Sequence, residues 1–76
     1  MKKTVLITGA SSGIGHAAAK FFADKDWNVI AAMRQPAAEK ELTQNDNVLV
    51  TRLDVRDGDS IGCAIEAGLT RFGKID

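Results

Sequence analysis

The chain has 76 residues, room for one small domain, and its ten basic and ten acidic residues leave no formal net charge. Because the basic residues form no run, this composition argues against nucleic acid or an anionic membrane as the main partner and favours a small molecule. Cys63 has no second cysteine to pair with, and the apolar run before Thr8 is too short for a signal peptide or a membrane span. We therefore expect a cytoplasmic protein.

The chain begins with a predicted strand, a glycine-rich turn and a helix. Residues 5–8 continue a nearly uninterrupted apolar run, which is typical of a strand covered on both faces in a parallel sheet. Beyond the turn, Ser11 or Ser12 is a candidate helix N-cap. Apolar residues at helical spacing then predict one buried helix face, formed by Ile14, Ala18, Phe21 and Phe22.

The end of this first helix is predicted at the residues before Trp27. Asp26 takes a C-terminal turn position that often requires a left-handed backbone, where glycine is usual. Aspartate tolerates that conformation at some cost, so we expect mild strain at Asp26. Trp27 is interpreted as a packing residue at the helix-sheet interface.

Two further apolar runs predict the second and third strands. Residues 28–33 form the second strand, and Arg34 follows at its C-terminal end. Pro36 is well placed to open a short helix that reaches Leu42. Residues 48–53 form the third strand, which ends at Asp54 and Val55, and Arg52 is expected to point outwards.

The last predicted helix has the clearest amphipathic pattern. Residues 57–60 offer capping side chains at its start, and Gly73 ends it. Cys63 lies beside the apolar stripe and is expected to be an inert packing thiol. His16, in the first turn of the earlier helix, is expected at the surface. The stripe consists of Ile61, Ala64, Ile65, Gly68, Leu69 and Phe72.

The alternation of strands and helices predicts the fold class. Strands connected through helices form right-handed crossovers in a parallel sheet, so we expect an α/β fold with a doubly wound sheet. The expected strand order is 3-2-1. In such sheets, ligands bind beyond the carboxyl ends of the strands, where the glycine turn, Arg34 and Asp54 would meet.

The glycine turn has the features of a phosphate-binding loop. At Gly9 the backbone must turn sharply, while Gly13 and Gly15 remove side chains where a ligand and the strand approach. The following helix directs unpaired N–H groups at the turn. The spacing differs from G-x-G-x-x-G, and no G-K-[ST] is present, which disfavours a nucleotide-hydrolysing switch. A turn without a ligand is the alternative.

The pattern Thr8-Gly9-x-x-x-Gly13-x-Gly15 resembles the cofactor fingerprint of the short-chain dehydrogenase/reductase family. The resemblance implies that residues 1–76 are the N-terminal part of a dinucleotide-binding, Rossmann-like domain that lacks the later strands. It further implies an NADP(H)-binding portion of an oxidoreductase, which in the complete protein transfers hydride between a nicotinamide cofactor and an alcohol or carbonyl substrate.

Arg34 bears on the choice between NADP and NAD. A carboxylate about 20 residues past the glycines would bind a ribose 2′-hydroxyl, but Met33 stands there. The guanidinium of Arg34 suits a phosphate monoester instead. By resemblance to NADP-preferring family members we expect NADP rather than NAD. A solvated arginine at the strand end is the alternative.

The resemblance assigns further contacts to the cofactor's adenosine end. Asp54 would accept a hydrogen bond from the adenine amino group, with the Val55 backbone positioning the ring; alternatively, Asp54 caps a turn. Ser11 would reach the adenosine ribose or its phosphate, and Ser12 and Ile14 would offer polar or backbone N–H contacts. The expected cofactor-binding set is Gly9, Ser11, Ser12, Gly13, Ile14, Gly15, Arg34, Asp54 and Val55.

Neither a catalytic residue nor a metal site is expected in residues 1–76. The resemblance implies a later serine and a Tyr-x-x-x-Lys pair as the catalytic residues, and this sequence contains no tyrosine. We therefore expect no turnover from this chain alone and a small-molecule substrate only in a longer chain. The alternatives are a non-catalytic NADP(H)-binding module or sensor, or a nonfunctional fragment. Without a fourth strand the first strand has a bare edge, which predicts self-association.

Overall fold

A computed structural model describes residues 3–11, 13–39, 42 and 46–75. Within them, strands and helices alternate as the sequence predicts. Neither α-helix of this described part is long and apolar enough to cross a membrane. The elements are β1 (Thr4–Thr8), α1 (Gly13–Asp24), β2 (Asn28–Met33), a 3-10 turn (Pro36–Ala38), β3 (Val48–Arg52) and α2 (Gly58–Phe72).

The three strands form one parallel sheet with β2 in the centre. β1 pairs with β2 from Thr4 opposite Asn28 to Thr8 opposite Ala32, and β2 pairs with β3 up to Met33 opposite Arg52. The predicted order 3-2-1 is confirmed. All three strands therefore end on the same edge of the sheet.

Alternating residues of β2 face two separate apolar clusters. Val29, Ala31 and Met33 belong to a cluster that also contains Ala19 of α1. Ala32 belongs to a second cluster with Ala64 of α2. Because side chains alternate across a strand, the two helices cover opposite faces, which makes the sheet doubly wound as predicted.

The buried face of α1 differs in phase from the predicted one. Ala19 is buried, and Phe22 and Ala23 pack against the cluster, whereas Ile14 is 90% exposed and Phe21 is 56% exposed. The period is helical, but the contact stripe passes through Gly15 instead of Ile14. The absence of a side chain at Gly15 lets the helix approach the strand, so the stripe shifts by one position.

The end of α1 has the predicted left-handed residue. Asp26 has a φ of 68°, and the Trp27 N–H donates to the Phe22 carbonyl at 3.0 Å. With the Asp26 N–H on the Ala23 carbonyl, this is a Schellman motif. The Trp27 and Phe22 rings lie 4.9 Å apart between centroids, consistent with the predicted packing role of the tryptophan.

The predicted helix after β2 is interrupted at Glu39. A 3-10 turn covers Pro36–Ala38, and Glu39 has extended dihedral angles of −81° and 130°. Leu42 is again in 3-10 conformation, and residues 40 and 41 of the predicted helix lie outside the described part of the chain.

Both ends of α2 are capped as the sequence indicates. The Asp57 carboxylate accepts hydrogen bonds from the N–H groups of Asp59 and Ser60, and Gly73 is left-handed with a φ of 84°. Ala64 and Gly68 are buried against the sheet, but Ile65 and Leu69 of the predicted stripe are exposed. The buried stripe is therefore narrower than predicted.

Cys63 also lies outside this buried stripe. Its side chain is exposed, so the prediction of a packing thiol is wrong. The reason is its position one residue before Ala64, which rotates it away from the sheet.

Candidate functional site

The three strand ends open into one crevice of about 1110 Å³. β1 contributes the glycine turn, and the loops that follow β2 and β3 contribute the rest of the lining. The crevice brings together five of the predicted site residues. Its lining is Thr8, Gly9, Ser11, Met33, Arg34, Gln35, Glu39, Leu53, Asp54, Val55 and Arg56.

The backbone of the glycine turn requires glycine for two different reasons. Gly9 and Gly13 have φ values of 67° and 62°, a region that side chains disfavour. A Cβ on Gly15 would instead meet the Gly9 carbonyl, with its carbon at 2.8 Å, and the Thr8 carbonyl oxygen at 3.2 Å. The Ala10 N–H donates to Ala32 of β2 at 3.1 Å, which anchors the turn to the sheet.

The remaining predicted residues of the turn are placed beside the crevice or are not described. Gly13, Ile14 and Gly15 form the start of α1, next to the lining residues Gly9 and Ser11. Ser12 lies outside the described residues, so its predicted roles as cap and ligand are untested. An α-helix that begins here directs its unpaired N–H groups at this end of the crevice.

Arg34 is exposed at the end of β2 and lines the crevice. No ion pair joins it to another residue of the described ranges. Its charge contributes a small part of the lowering of the Asp54 pKa. Arg34 therefore supplies positive charge and hydrogen-bond donors that face a carboxylate without being bonded to it.

The Asp54 carboxylate is held by Arg56. Arg56 donates from Nε to Oδ1 and from Nη2 to Oδ2, both at 3.2 Å, and its backbone N–H donates to Oδ1 at 3.0 Å. These bonds lower the Asp54 pKa from 3.8 to about 2, with the side-chain bond as the largest cause, the backbone bond next and burial opposing them. The carboxylate is thus ionised at neutral pH.

The alternative interpretation of Asp54, as the cap of a turn, is observed. Its carboxylate closes a local turn through the Arg56 N–H, before α2, whose own N-cap is Asp57. Val55, between Asp54 and Arg56, is 73% exposed and lines the crevice with an apolar surface.

Ser60 is a site residue that the sequence analysis identified only as a possible cap. It is 5% exposed, and its Oγ accepts from the Asp54 N–H at 2.9 Å. The same Oγ lies 3.0 Å from the Asp54 carbonyl oxygen and 2.8 Å from that of Asp57, to which it donates. Ser60 therefore fixes the backbone that presents Asp54. Its place in a capping sequence was the available signal.

Glu39 and Arg56 are lining residues that the sequence analysis did not identify. The Glu39 side chain is largely buried, accepts from the Leu42 N–H at 2.9 Å and lies 3.8 Å from His16 Nε2. His16, predicted at the surface, is partly exposed there, with a side-chain exposure of 25%. Within the described residues, no group of three histidine, cysteine or acidic side chains could hold a metal ion.

The crevice thus offers backbone donors, a free guanidinium, an ionised acceptor and an apolar rim. These groups suit a ligand with phosphates at one end and an amino-bearing ring at the other. The described lining contains neither a tyrosine nor a cysteine. The backbone donors, the guanidinium and the carboxylate named above can bind and orient a ligand.

Several known proteins are similar to this chain in sequence and in fold. Sulfoacetaldehyde reductase 2 of Chromohalobacter salexigens is 41% identical over 99% of this chain and 31% of its own length. A crystal structure of a 3-ketoacyl-(acyl-carrier-protein) reductase from Brucella melitensis complexed with NADH is 38% identical, with a TM-score of 0.90 over 97% of this chain and 31% of that one. A short-chain dehydrogenase/reductase from Burkholderia phymatum in complex with NAD is 29% identical, with a TM-score of 0.83 over 97% and 28%.

These relatives are much longer than the chain. Residues 1–76 span about a third or less of each of them. The family model for the short chain dehydrogenases matches residues 3–76, from β1 to the end of the sequence. The chain, with its glycine turn, doubly wound parallel sheet and strand-end crevice, belongs to the short-chain dehydrogenase family and corresponds to the N-terminal part of its members.

Proposed function

We propose that residues 1–76 are the N-terminal part of a dinucleotide-binding domain that binds the adenosine and pyrophosphate groups of NADP(H). The observation that carries this proposal is the convergence of the glycine turn, Arg34 and Asp54 on one crevice. The two solved relatives bind NADH and NAD, which supports a nicotinamide dinucleotide as the ligand.

The pyrophosphate is assigned to the turn between β1 and α1. Gly9 and Gly13 expose the backbone there, and the N-terminus of α1 carries a partial positive charge. Ser11, which is exposed and lines the crevice, would bind the adenosine ribose or its phosphate. Ser12 and Ile14 are proposed as further contacts, Ile14 through its backbone N–H from the first turn of the helix.

The adenine ring is assigned to the loop that follows β3. Asp54 supplies an ionised acceptor for the amino group, and the exposed Val55 supplies an apolar contact for the ring. Ser60 keeps the loop backbone in place, because its Oγ accepts from the Asp54 N–H and donates to the Asp57 carbonyl. An adenine between these groups would lie across the crevice from Arg34.

The preference for NADP over NAD is proposed from the two arginines of the crevice. Arg56 is engaged by Asp54, whereas Arg34 makes no ion pair in the described ranges and is available for a 2′-phosphate. A charge-assisted hydrogen bond contributes about 1.5 to 3 kcal/mol. Because Arg34 is exposed, we expect the lower part of that range, about tenfold in affinity.

The activity of the whole protein is proposed as hydride transfer between the nicotinamide cofactor and an alcohol or carbonyl substrate. The cofactor supplies the hydride chemistry. Residues 1–76 contain no tyrosine, so the proton donor and the substrate contacts are proposed to lie outside them. The chain alone is expected to bind without turnover. A non-catalytic NADP(H)-binding module or sensor would use the same crevice. We propose a cytoplasmic location for the protein in either case.

Self-association of the isolated chain is proposed from the position of β1. Its only hydrogen-bonded neighbour among the described strands is β2, so its outer edge presents backbone donors and acceptors to a second chain. Light scattering should then show particles larger than a monomer. A monomer at all concentrations would contradict this proposal.

The cofactor proposal is tested with NADPH and NADH titrated into the purified protein and its Arg34→Ala variant. We expect Arg34→Ala to weaken NADPH binding about tenfold and NADH binding by less than twofold. Arg52→Ala is the matched control, because Arg52 is an exposed arginine of the same sheet that does not line the crevice. It should change neither affinity.

Two results would contradict the proposal at different levels. Equal losses for both cofactors, or no loss for NADPH, would remove the assignment of Arg34 to the 2′-phosphate. A wild-type protein that binds neither cofactor would remove the dinucleotide site itself.

A further inference from the structure

We propose that Arg56 is a positioning residue for adenine recognition, which holds the Asp54 carboxylate in one orientation and leaves an oxygen lone pair for the adenine amino group. This inference rests on the proposed function. It assigns to Arg56 a role that affects the choice of base and leaves the phosphate contacts unchanged.

The hydrogen bonds of Asp54 leave room for one more donor. Oδ1 accepts from both the backbone N–H and Nε of Arg56, at 3.0 and 3.2 Å, and Oδ2 accepts from Nη2 at 3.2 Å. Each carboxylate oxygen has two lone pairs. Within the described residues, Oδ2 therefore retains one lone pair for an amino group.

The fork of Arg56 defines the plane of the carboxylate. Two parallel N–H bonds fix both oxygens at once, which a single donor does not. Ser60 meanwhile fixes the backbone that presents Asp54, because its Oγ accepts from the Asp54 N–H at 2.9 Å and donates to the Asp57 carbonyl at 2.8 Å. Backbone and side chain of the acceptor are thus held by two different residues.

The exposure of the two partners indicates a role in binding more than in folding. The Asp54 side chain is 14% exposed, but that of Arg56 is 75% exposed. An ion pair with so exposed a partner contributes little to the stability of a fold. Removing the Arg56 side chain should therefore leave the Asp54 carboxylate with only its bond from the backbone N–H of residue 56 to Oδ1, so that Oδ2 is no longer fixed, without unfolding the protein.

The lone-pair count separates positioning from competition. If Arg56 occupied the acceptor sites that adenine needs, its removal would tighten binding. Because Oδ2 keeps a free lone pair, we expect the opposite. Without the Arg56 side chain, binding of adenine must immobilise the Asp54 carboxylate, and the lost side-chain entropy weakens the affinity. Immobilising a side chain on binding corresponds to about a 3- to 10-fold loss of affinity.

The test compares NADPH with its hypoxanthine analogue, in which a carbonyl oxygen replaces the adenine amino group. The two ligands share the ribose and phosphate contacts and differ in the amino group from which Asp54 would accept a hydrogen bond. We expect the wild-type protein to prefer NADPH. Arg56→Ala should weaken NADPH binding about 3- to 10-fold, change the analogue by less than twofold and so reduce this preference.

Two controls accompany this variant. Arg56→Lys should retain part of the preference, because lysine keeps the charge but not the fork. Arg52→Ala removes an exposed arginine that pairs with Asp57 at 3.5 Å outside the crevice, and it should change neither affinity. The urea midpoint of Arg56→Ala should equal that of the wild type, which shows that the variant is folded.

Three outcomes would overturn the role of Arg56 alone, provided that the wild-type protein binds NADPH and prefers it to the analogue. Arg56→Ala could bind NADPH more tightly, it could lose the same affinity for both ligands, or it could lose none. A wild-type protein that binds neither ligand would overturn the proposed function instead.

Discussion

Replacing Gly15 with alanine tests the close contact between α1 and the end of β1. The added Cβ would meet backbone atoms of the glycine turn, among them the Gly9 carbonyl carbon at 2.8 Å and the Thr8 carbonyl oxygen at 3.2 Å. Backbone cannot rotate away as a flexible side chain can. The helix or the turn must therefore shift, and overpacking of this kind costs about 1 to 3 kcal/mol.

This cost is large for a chain of 76 residues. Domains have a free energy of unfolding of roughly 0.05 to 0.15 kcal/mol per residue, which corresponds to about 4 to 11 kcal/mol here. Gly15→Ala also gains helix propensity, about 0.5 to 1 kcal/mol, so the measured loss is the clash less this gain.

Gly62→Ala is the matched control. Gly62 lies inside α2, and a Cβ there would meet nothing within 4 Å, so only the propensity gain of about 0.5 to 1 kcal/mol remains. The same substitution is thus expected to destabilise at position 15 and to stabilise at position 62. Urea denaturation followed by circular dichroism measures both. A Gly15→Ala protein that is stabilised as much as Gly62→Ala would refute the reasoning.

Three further substitutions test the loops around the crevice. Ser60→Ala leaves the Asp54 N–H without its acceptor and should lower the free energy of unfolding by about 1 to 3 kcal/mol. Thr70→Ala, on the exposed face of the same helix, should not lower it, and urea denaturation measures both variants. Asp26→Gly should be more stable than Asp26→Ala by about 1 kcal/mol, because both delete the side chain but only glycine accepts a φ of 68° without strain; equal stabilities would contradict this. The Asp54 pKa is lowered from 3.8 to about 2, so its pair with Arg56 is fully formed above pH 3.8 and is lost as the pH falls through 2; because the Arg56 side chain is 75% exposed, this loss should change the stability of the fold little. Arg56→Ala should raise the midpoint of the Asp54 carboxyl ¹³C shift towards 3.8, and an unchanged midpoint would exclude the Arg56 side chain as the cause.

The strands and the ends of the helices could be predicted from the sequence because their signals are local. Residues 29–33 are an apolar run between Asn28 and Arg34, and the structure has β2 at Asn28–Met33. Gly73 and Asp26 are left-handed as their positions after helices indicate. Parallel strands joined by helices leave few possible topologies, so the strand order followed.

The phase of α1 could not be predicted, because it depends on a tertiary contact. Ile14 fits the helical period but is 90% exposed, since the helix approaches the sheet through Gly15. The contact at Gly15 is made by a residue without a side chain, which the apolar pattern of α1 does not identify. Leu69 of the predicted stripe of α2 is exposed, whereas its neighbour Gly68 lies close to Ile30.

Only part of the candidate site has a sequence signal. The glycine spacing and the strand ends indicate where a ligand would lie, and the structure brings Gly9, Ser11, Arg34, Asp54 and Val55 into one crevice. The pairing of Asp54 with Arg56 has no such signal, because acidic and basic residues two positions apart are common and bond only in a particular turn. The ligand roles of all these residues await the titrations proposed above.

The alternation of β2 has a consequence for how this site can change. Val29, Ala31 and Met33 face α1, Ala32 faces α2, and Arg34 follows the same strand into the crevice. A one-residue slip of β2 against its neighbours would exchange the two faces and move Arg34 at the same time. The packing of β2 against the two helices therefore also fixes where residue 34 enters the crevice. If Arg34 selects NADP as proposed, a substitution at position 34 is the change that would alter selectivity while β2 keeps its register.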